Sequence, residues 1–558
     1  MKIIFVTGWA ISGLGKGVTS SSIWRLIKSA WKSVGMIKMD PYLQIDAGTM
    51  SPYEHGEVFV TQDWGECDLD IWNYERFTDE NLAKINNITT WKVYQAVINR
   101  EREGWYLGKT VQIVPHITNE IKDQITEVAK KYDFTIVEVG GTVWDIESAP
   151  FLEAIRQMRK DLGENNIFYM IVAPLLHLNY SWEVKTKLVQ SSVSELRKCW
   201  IVPDAIICRT EVELEEEIKD KLSRTCDVMP EAIIEAKNVD TIYQVPKYFD
   251  NQNLLQLIWN KLGISEFKSD LWEWNKLVDK ITNSKKQVNI WVVGKYTAFQ
   301  DTYKSISESF IHAWVANDCK VNLVWIDAEE IEKENKKVGY AGLHTLQNKF
   351  KNISWVLIPG WFWNRWVEWK ILTVQYLREN NIPFLGICLW LQVAVIESAR
   401  NKCGLLDANS LEFNPDSSDL VIDLMEEQKS ITTKWWTMRL WSYETILQKW
   451  SLADKLYKEN LIIPHPSGAP FNTKESNWNL IITERHRHRF EVNPKYHEIL
   501  ENNWLTISGK APDRDLTEFI EIKDHKFFIA TQAHPEFKSR LEKPHPLFVG
   551  LVRASMED

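Results

Sequence analysis

The chain has 558 residues, a net charge of −10 and 44% hydrophobic residues, enough for two or three domains with complete hydrophobic cores. Net negative charge argues against wholesale binding to nucleic acid or to an acidic membrane, so we expect neither as a partner. The seven cysteines form no CxxC pair, and no apolar run reaches membrane-spanning length. This pattern is typical of reduced thiols in a cytoplasmic protein.

Tryptophan is unusually frequent, with 28 Trp against 23 Gly. Globular proteins contain about 7% Gly, and this chain falls well short of that share. The two counts together slightly exceed it, as though Trp stood in place of Gly.

Apolar runs alternate with helical patterns from the first residues onward, which predicts a parallel sheet covered by helices. The predicted strands of a first domain, residues 1–266, are "KIIFVTG", "VQIVPHI", "DFTIVEVGG", "IFYMIVAP" and "DAIICRT". Residues 267–287, ending in the polar "DKITNSKKQ", are predicted as a linker. A second α/β domain, 288–558, has predicted strands in "VNIWVVGKY", "VNLVWID", "ISWVLIPG", "IPFLGICLW", "LIITERHRHRFEVN" and "FFIATQAHPEF".

A glycine-rich loop, "VTGWAISGLGKGVTSSS", follows the first predicted strand and opens a helix. Gly13, Gly15 and Gly17 let backbone N–H groups turn toward a polyphosphate, and Lys16 would reach its outer phosphates. The strict GxxxxGK[ST] pattern is not met, because Ala10 and Gly17 stand at two of its positions. A plain glycine-rich turn is the alternative.

Two carboxylates, Asp70 and Glu138, end apolar segments in "CDLDIW" and "TIVEVGG". Acids at strand ends near a phosphate loop suit a Mg²⁺ ion that keeps most of its waters. Without the loop, two solvated acids would be the better interpretation.

A candidate thiol site is formed by "FLGICLWLQ" and "AHPEF". Cys388 lies between an apolar strand and a helical run, as in a nucleophile elbow, with Gly386 two residues before it. His534 would take the thiol proton, and Glu536 would hold the imidazole in the required tautomer. A lone buried Cys is usually a small hydrophobe, but the two motifs together favour acyl transfer through a thiol.

The whole chain resembles the CTP synthase family, in which a synthetase is fused to a class I glutamine amidotransferase. The resemblance rests on long stretches, among them "KMDPYLQIDAGTMSPYEHGEVFVTQD", "KTVQIVPHITNEIK", "DIESAPFLEAIRQ", "EVKTKLVQSSVSELR", "ARNKCGLLDANSLEF", "TMRLW", "ERHRHRFEVN" and "AHPEF". It implies an α/β fold with an N-terminal Rossmann-like parallel sheet and a C-terminal flavodoxin-like domain.

The resemblance implies ATP-dependent amination of UTP to CTP through a 4-phosphorylated UTP, with ammonia from L-glutamine or free in solution. It also implies Mg²⁺, activation by GTP, feedback inhibition by CTP and a homotetramer. A cobyrinate-type amidating synthase is the alternative enzyme. An inactive scaffold paralogue is the alternative if every Trp of the sequence is a tryptophan in the natural protein.

The resemblance also assigns residues to each ligand. The residues implied for ATP are Ser12, Gly13, Leu14, Gly15, Lys16, Gly17, Val18, Lys38 and Asp70, and those implied for Mg²⁺ are Asp70 and Glu138. For UTP or CTP they are Ser12, Asp145, Ile146, Glu147, Lys185, Thr186, Lys187, Gln190 and Lys221. For glutamine they are Trp361, Leu389, Gln392, Glu412 and Arg489, and His55 would line an ammonia passage.

Twelve tryptophans stand where the family pattern has glycine: Trp9, Trp72, Trp91, Trp144, Trp361, Trp363, Trp366, Trp369, Trp390, Trp435, Trp436 and Trp441. Trp274, by contrast, reads as a genuine tryptophan. We hypothesise that the source reads one codon, UGA, as glycine, and we expect tryptophan in positive-φ turns to cost about 1–3 kcal/mol per site. A chain with glycine at these twelve positions is called the glycine-restored chain below.

Overall fold

The computed structural model describes residues 1–9, 13–50, 57–178, 183–265, 268–294, 300–327, 355–359, 367–425, 428, 438–462, 473–476 and 479–557. The chain divides into two compact units. The first comprises Met1–Met50 and Cys67–Thr282, and the second comprises Ser51–Glu66 and Asn283–Asp558.

The first unit is built on a parallel sheet whose central strands are buried on both faces, as continuous Val, Ile and Phe runs predict. In chain order up to residue 237 the strands are β1 (Lys2–Gly8), β2 (Val34–Asp40), β3 (Phe59–Val60), β4 (Glu66–Cys67), β5 (Asn87–Thr89), β6 (Phe134–Val139), β7 (Ile167–Pro174), β8 (Leu176–Leu178), β9 (Glu183–Lys185), β10 (Ala205–Thr210) and β11 (Ile233–Lys237). Of these, β3 belongs to the second unit. Among the described residues the sheet order is β11-β10-β7-β1-β6-β2-β5, and each of its pairings is parallel.

The helices of the first unit cover this sheet through amphipathic faces. They are α1 (Lys16–Ser29), α2 (Asp70–Thr78), α3 (Thr90–Arg102), α4 (Thr118–Ala129), α5 (Ala149–Leu162), α6 (Lys187–Lys198), α7 (Glu216–Cys226), α8 (Val245–Asn251), α9 (Leu254–Leu262) and α10 (Trp272–Asn283). Because parallel strands place their carboxyl ends at one edge, the loop before α1 and the ends of β2 and β6 meet there.

The second unit has a mixed sheet. Its strands and the smaller ones beside them are β12 (Lys286–Gly294), β13 (Cys319–Asp327), β14 (Val356–Ile358), β15 (Phe384–Ile387), β16 (Asn409–Ser410), β17 (Leu420–Asp423), β18 (Ser442–Leu447), β19 (Lys474–Ser476), β20 (Asn479–Arg485), β21 (Glu491–Val492), β22 (Leu505–Lys510), β23 (Thr517–Ile522) and β24 (Phe528–Thr531). The order is β13-β12-β14-β15-β24-β23-β22-β18-β20-β19 in the part that the structure describes. The first five strands pair in parallel in the flavodoxin-like order, and the later ones are antiparallel.

The helices of the second unit pack against this sheet and form two apolar clusters with it. They are α11 (Lys304–Asn317), α12 (Val367–Glu379), α13 (Leu389–Asn401), α14 (Leu452–Ile462), α15 (His497–Glu501) and α16 (Pro546–Ser555). No helix within the described ranges combines the length and the apolarity that crossing a bilayer requires.

One predicted strand is wrong. The segment "VQIVPHI" forms a helical turn, Ile113–Ile117, instead of joining the sheet. Pro115 has no N–H group to donate to a β-ladder, and Ile113 and Val114 are about half exposed. The predicted linker also contains secondary structure, because α10 occupies much of 267–287 and buries Trp274.

Seven of the twelve tryptophans that align with family glycines lie in the described part of the chain, and none of the seven has a positive φ. The prediction of positive-φ strain is therefore wrong at these seven positions. Trp72, Trp91, Trp369 and Trp390 lie in helices, where φ is negative for any residue. Trp274 is fully buried, and its indole N–H donates to the Tyr243 carbonyl at 2.8 Å.

Candidate active sites

The glycine-rich loop of the first unit connects β1 to α1. Gly13 and Gly15 have φ of 75° and 93°, a left-handed conformation that glycine adopts without a steric penalty. The Lys16 side chain runs over Gly8, where an added Cβ would lie 2.7 Å from the lysine Cδ. Its amine donates to the Gly141 carbonyl, and burial lowers the pKa of Lys16. Ser12 lies outside the described residues, Leu14 lies between Gly13 and Gly15, and Val18 follows Gly17 in the first turn of α1.

A buried cation, Lys38, lies at the carboxyl end of β2 among three carboxylates. Its amine forms a salt bridge with Asp70 and lies 3.1 Å from Glu138 Oε1 and 3.7 Å from Asp40 Oδ1. Burial opposes the positive charge, yet Asp70 and Glu138 raise the pKa of Lys38 well above its ordinary value. Burial also opposes the negative charge of Asp70, but Lys38 holds the pKa of that carboxyl below its usual value.

The two predicted metal ligands face the first turn of α1. A Cβ added to Gly17 would lie 3.4 Å from Asp70 Oδ1 and 3.7 Å from Glu138 Oε2. In the described ranges no cluster of three or more His, Cys, Asp or Glu side chains is placed to hold a metal. Two carboxylates beside a phosphate loop fit Mg²⁺, which binds proteins through one or two carboxylates and takes its other ligands from phosphates and water.

Three residues predicted to bind the pyrimidine nucleotide lie in the turn before α5. Asp145 accepts a hydrogen bond from the Thr142 N–H at 2.5 Å, which orders the loop after β6. Ile146 and Glu147 follow in a short helical turn and are exposed.

The remaining nucleotide residues are placed by β9, α6 and α7. Lys185 ends β9, and the buried Thr186 accepts a hydrogen bond from Gln190 Nε2 at 3.1 Å. Lys187 begins α6, and Lys221 lies on α7; both side chains are exposed. Residues 185–190 therefore form one continuous segment from the end of β9 into α6, whereas Lys221 lies on a separate helix.

The candidate nucleophile Cys388 lies between β15 and α13, with φ of 55° and ψ of −106°. Its N–H donates to the Thr531 carbonyl at 2.7 Å, which ties the elbow to β24. The elbow requires glycine at position 386, because a Cβ there would lie 2.6 Å from the Phe384 ring. Trp390 points away from solvent and packs edge-on against Trp369, with ring centroids 6.1 Å apart.

The imidazole of His534 is held by a buried carboxylate. Its Nδ1 lies 2.6 Å from Glu536 Oε1, so its Nε2 is the nitrogen left to face the thiol. Burial lowers the pKa of His534, but the charges of Glu536 and Cys388 outweigh burial and raise it to about 10. A pKa of about 10 keeps the imidazole of His534 protonated at neutral pH.

Four of the predicted glutamine-binding residues lie in the described part of the chain: Leu389, Gln392, Glu412 and Arg489. Leu389 begins α13 directly after the nucleophile, and Gln392 lies one turn later with its Nε2 donating to the Phe490 carbonyl at 2.9 Å. Burial raises the pKa of Glu412, while the positive charges of Arg489 and Lys370 act in the opposite direction. Trp361 and His55 lie outside the described residues.

Two groups beside the thiol, and a carboxylate that interacts with Glu536, were missed by the sequence prediction. Gln532 Nε2 lies 3.8 Å from the Cys388 sulfur, and the Arg487 carbonyl lies 3.9 Å from it. Glu57 accepts a hydrogen bond from Ser305, and burial, together with the charge of Glu536, raises its pKa to about 8. Glu57 lies more than 300 residues before the thiol in the sequence, so no local pattern could connect the two.

Comparison with protein families and relatives covers both units. The family model described as CTP synthase N-terminus matches residues 2–264, and the model described as glutamine amidotransferase class-I matches residues 298–554. CTP synthases of Methanocaldococcus jannaschii and Methanococcus maripaludis are 54% and 52% identical over all of this chain and 98% and 100% of their own. A solved Trypanosoma brucei CTPS glutaminase domain with bound acivicin is 33% identical over 49% of this chain and 94% of its own, with a TM-score of 0.41.

Proposed function

Because the chain belongs to the CTP synthase family and aminates UTP to CTP with ammonia from glutamine, we propose a division of its residues between the two half-reactions. The residues around the phosphate loop activate UTP with ATP, and the residues around Cys388 release ammonia. The full-length relatives do not favour a cobyrinate-type synthase.

The first half-reaction transfers the terminal phosphoryl group of ATP to the 4-oxygen of UTP, which turns a poor leaving group into phosphate. We assign ATP to the loop from Ser12 to Val18, with Lys16 and Lys38 balancing the negative charge that moves in the transfer. Asp70 and Glu138 would hold Mg²⁺, which neutralises phosphate charge when bound. The support is that Lys38 and both carboxylates converge on the first turn of α1.

The pyrimidine nucleotide is assigned to the turn Asp145–Glu147, the segment from Lys185 to Gln190, and Lys221. The exposed lysines supply positive charge for a triphosphate in a chain that is negative overall. CTP, as product and feedback inhibitor, is assigned to the same residues.

The second half-reaction begins at the thiol. The Cys388 sulfur attacks the carboxamide carbon of glutamine, an S–C bond forms, and the C–N bond breaks as the proton stored on His534 goes to the leaving ammonia. Water then hydrolyses the thioester with His534 as base. The Leu389 N–H and a backbone N–H near Trp361 would stabilise the oxyanion, and Glu412 and Arg489 would hold the two ends of the amino acid.

The observation that carries this assignment is the buried hydrogen bond between His534 and Glu536 at 2.6 Å, together with the electrostatic interaction of His534 with Cys388 that helps to raise the imidazole pKa. The test is CTP formation by the glycine-restored chain and its Cys388→Ala variant. We expect the variant to lose glutamine-dependent synthesis and to keep ammonia-dependent synthesis, since only the ammonia source has been removed.

The matched control is Cys403→Ala, which removes another free thiol of the second unit and should leave both activities unchanged. Loss of ammonia-dependent synthesis in the Cys388→Ala variant would contradict the proposed division of labour.

We propose, from the family alone, that GTP activates glutamine hydrolysis, that His55 lines the ammonia passage and that the enzyme is a cytoplasmic homotetramer. Mass photometry with and without ATP and UTP tests the assembly, with tetramers expected in the presence of nucleotides. A monomer under both conditions would contradict it.

A further inference from the structure

We propose that the side-chain amide of Gln532 is a catalytic group that donates a hydrogen bond to the Cys388 sulfur and stabilises its thiolate. The proposal rests on the assignment of Cys388 as nucleophile. Gln532 follows β24, is fully buried and places Nε2 3.8 Å from the sulfur. Its N–H donates to the Glu518 carbonyl at 2.9 Å, which fixes the backbone from which the amide projects.

The orientation of this amide follows from a chain of hydrogen bonds. The Phe490 carbonyl can only accept, so Gln392 must turn its nitrogen toward it, at 2.9 Å. The same nitrogen donates to Gln532 Oε1 at 3.2 Å. The oxygen of Gln532 is therefore occupied by Gln392, and its NH₂ group faces the sulfur.

A donor aimed at sulfur favours the charged form of the thiol, because hydrogen bonds to an ionised group stabilise it over the neutral form. His534 holds the proton that the thiol loses, and Gln532 lowers the free energy of the anion that remains. In the attack on glutamine the amide of Gln532 forms and breaks no covalent bond.

The test is the pH dependence of Cys388 alkylation by iodoacetamide in the full-length glycine-restored chain, followed on the Cys388 peptide by mass spectrometry because the other six cysteines are also free. Gln532→Met keeps the approximate volume and removes the donor. We expect alkylation at pH 6 to fall about tenfold, which corresponds to one pH unit in the apparent pKa of the thiol.

Glutamine hydrolysis should show the same loss in kcat with KM changed less than about twofold. Superimposable alkylation profiles of the variant and the parent would overturn the proposal. Gln448→Met, an exposed glutamine of the same unit, is the matched control and should change neither measurement.

Gln532→Glu provides a second test that does not depend on Gln532→Met folding correctly. It keeps the oxygen that accepts from Gln392 but places a carboxylate against the sulfur, so alkylation at neutral pH should fall further than in Gln532→Met. Equal or faster alkylation would contradict a donor role. Cys388→Ala separates the two proposals, because glutaminase activity retained in that variant would refute the nucleophile and not the hydrogen bond.

We further infer, from independent backbone geometry, that five more tryptophans stand where the natural polypeptide has glycine. Of the twelve non-glycine residues with positive φ in the described ranges, five are tryptophan: Trp31, Trp64, Trp200, Trp450 and Trp504. Positive φ is favoured by glycine and tolerated by Asn and Asp, whereas bulky side chains there are outliers. All five indoles are at least half exposed, so burial does not offset the strain.

Two of the five occupy a position at helix ends that glycine favours. After α6, the Trp200 N–H donates to the Arg197 carbonyl and the Ile201 N–H to the Leu196 carbonyl, the hydrogen-bond pair of a Schellman cap. After α1, the Trp31 N–H donates to the Lys28 carbonyl in the same way. Gly263 ends α9 with the same left-handed φ, as expected for such a cap.

The test is peptide mass spectrometry of the protein purified from its natural source. We expect glycine at the five positions and tryptophan at Trp274, whose indole N–H is paired inside the core. Tryptophan at Trp200 and Trp450 would overturn the inference, and glycine at Trp274 would show that the backbone criterion does not distinguish the two classes.

Discussion

The two candidate sites differ in how their charged side chains are paired. Around the phosphate loop the buried cation Lys38 is shared by Asp70, Glu138 and Asp40. Around the thiol one carboxylate, Glu536, faces one imidazole, that of His534. The first arrangement has several groups whose partners can change when a charged nucleotide and a metal bind. The second is a complete proton-transfer pair before any substrate arrives.

This contrast predicts that substitutions near the loop should change ligand binding and phosphoryl transfer. Substitutions near the thiol should instead change the protonation of His534. The largest expected effect is at Lys16, whose amine has a neutral carbonyl as partner and is available to phosphates. Lys16→Met should reduce both ammonia-dependent and glutamine-dependent CTP formation by about 10³–10⁵-fold, as loss of a cation from a phosphoryl-transfer site does.

Steady-state assays with each nitrogen source measure this effect. Lys122→Met, which removes an exposed ion pair with Asp161, is the control and should be nearly neutral. A variant of Lys16 that still makes CTP from ammonia at the parent rate would place the phosphate site elsewhere.

A smaller effect is expected for Glu536→Gln, which removes the charge that raises the pKa of His534. Glutamine hydrolysis should fall on the order of 10³-fold, while ammonia-dependent synthesis stays unchanged. The pKa of His534, followed by NMR, should fall from about 10 toward its ordinary value.

The same pair contributes to stability with a defined sign. A raised imidazole pKa stabilises the fold fully below the unfolded value of about 6.5 and loses this contribution as the pH rises through about 10. Chemical denaturation of the parent and of Glu536→Gln over this interval measures the difference. Equal pH dependence of the two unfolding free energies would show that the pair is not coupled to folding.

Asp70→Asn tests the metal assignment at the loop. The variant keeps the size of the side chain but loses one anionic oxygen ligand and one partner of Lys38. We expect the Mg²⁺ concentration for half-maximal ammonia-dependent synthesis to rise by roughly tenfold or more. Glutaminase activity measured in the absence of nucleotides should not change, and an unchanged Mg²⁺ requirement would argue against Asp70 as a ligand.

The smallest predicted effect separates two classes of tryptophan in the tryptophan-bearing chain. Trp200→Gly should stabilise it by about 1 kcal/mol, because glycine relieves the left-handed strain at the end of α6. Trp274→Phe should destabilise it by about 1 kcal/mol or more, because the Tyr243 carbonyl loses its buried donor. Urea denaturation measures both, and the same sign in both variants would contradict the distinction.

The sequence by itself determined the features that are local. The loop from Gly13 to Gly17 lies between a strand and a helix, and the Cys388 elbow has the same arrangement, because small residues and an apolar run act over a few neighbouring positions. The proximity of His534 and Glu536 follows equally from their separation by one residue. The resemblance to the family then indicated which ligands these motifs bind.

Only the tertiary structure decided which distant groups meet. Lys38, Asp70 and Glu138 come from three elements, and their ion pairs exist because parallel strands end at one edge of the sheet. Gln532 reaches the thiol from the end of β24 and is hydrogen-bonded by Gln392 of α13, and Glu57 contacts Ser305, almost 250 residues later in the chain. The segment "VQIVPHI" was mispredicted because β-propensity carries no information about whether a strand partner is available. The tryptophans with positive φ likewise could be identified only from the backbone structure. The φ angle of a residue depends on the helix cap or turn in which it lies, and not on its residue type alone.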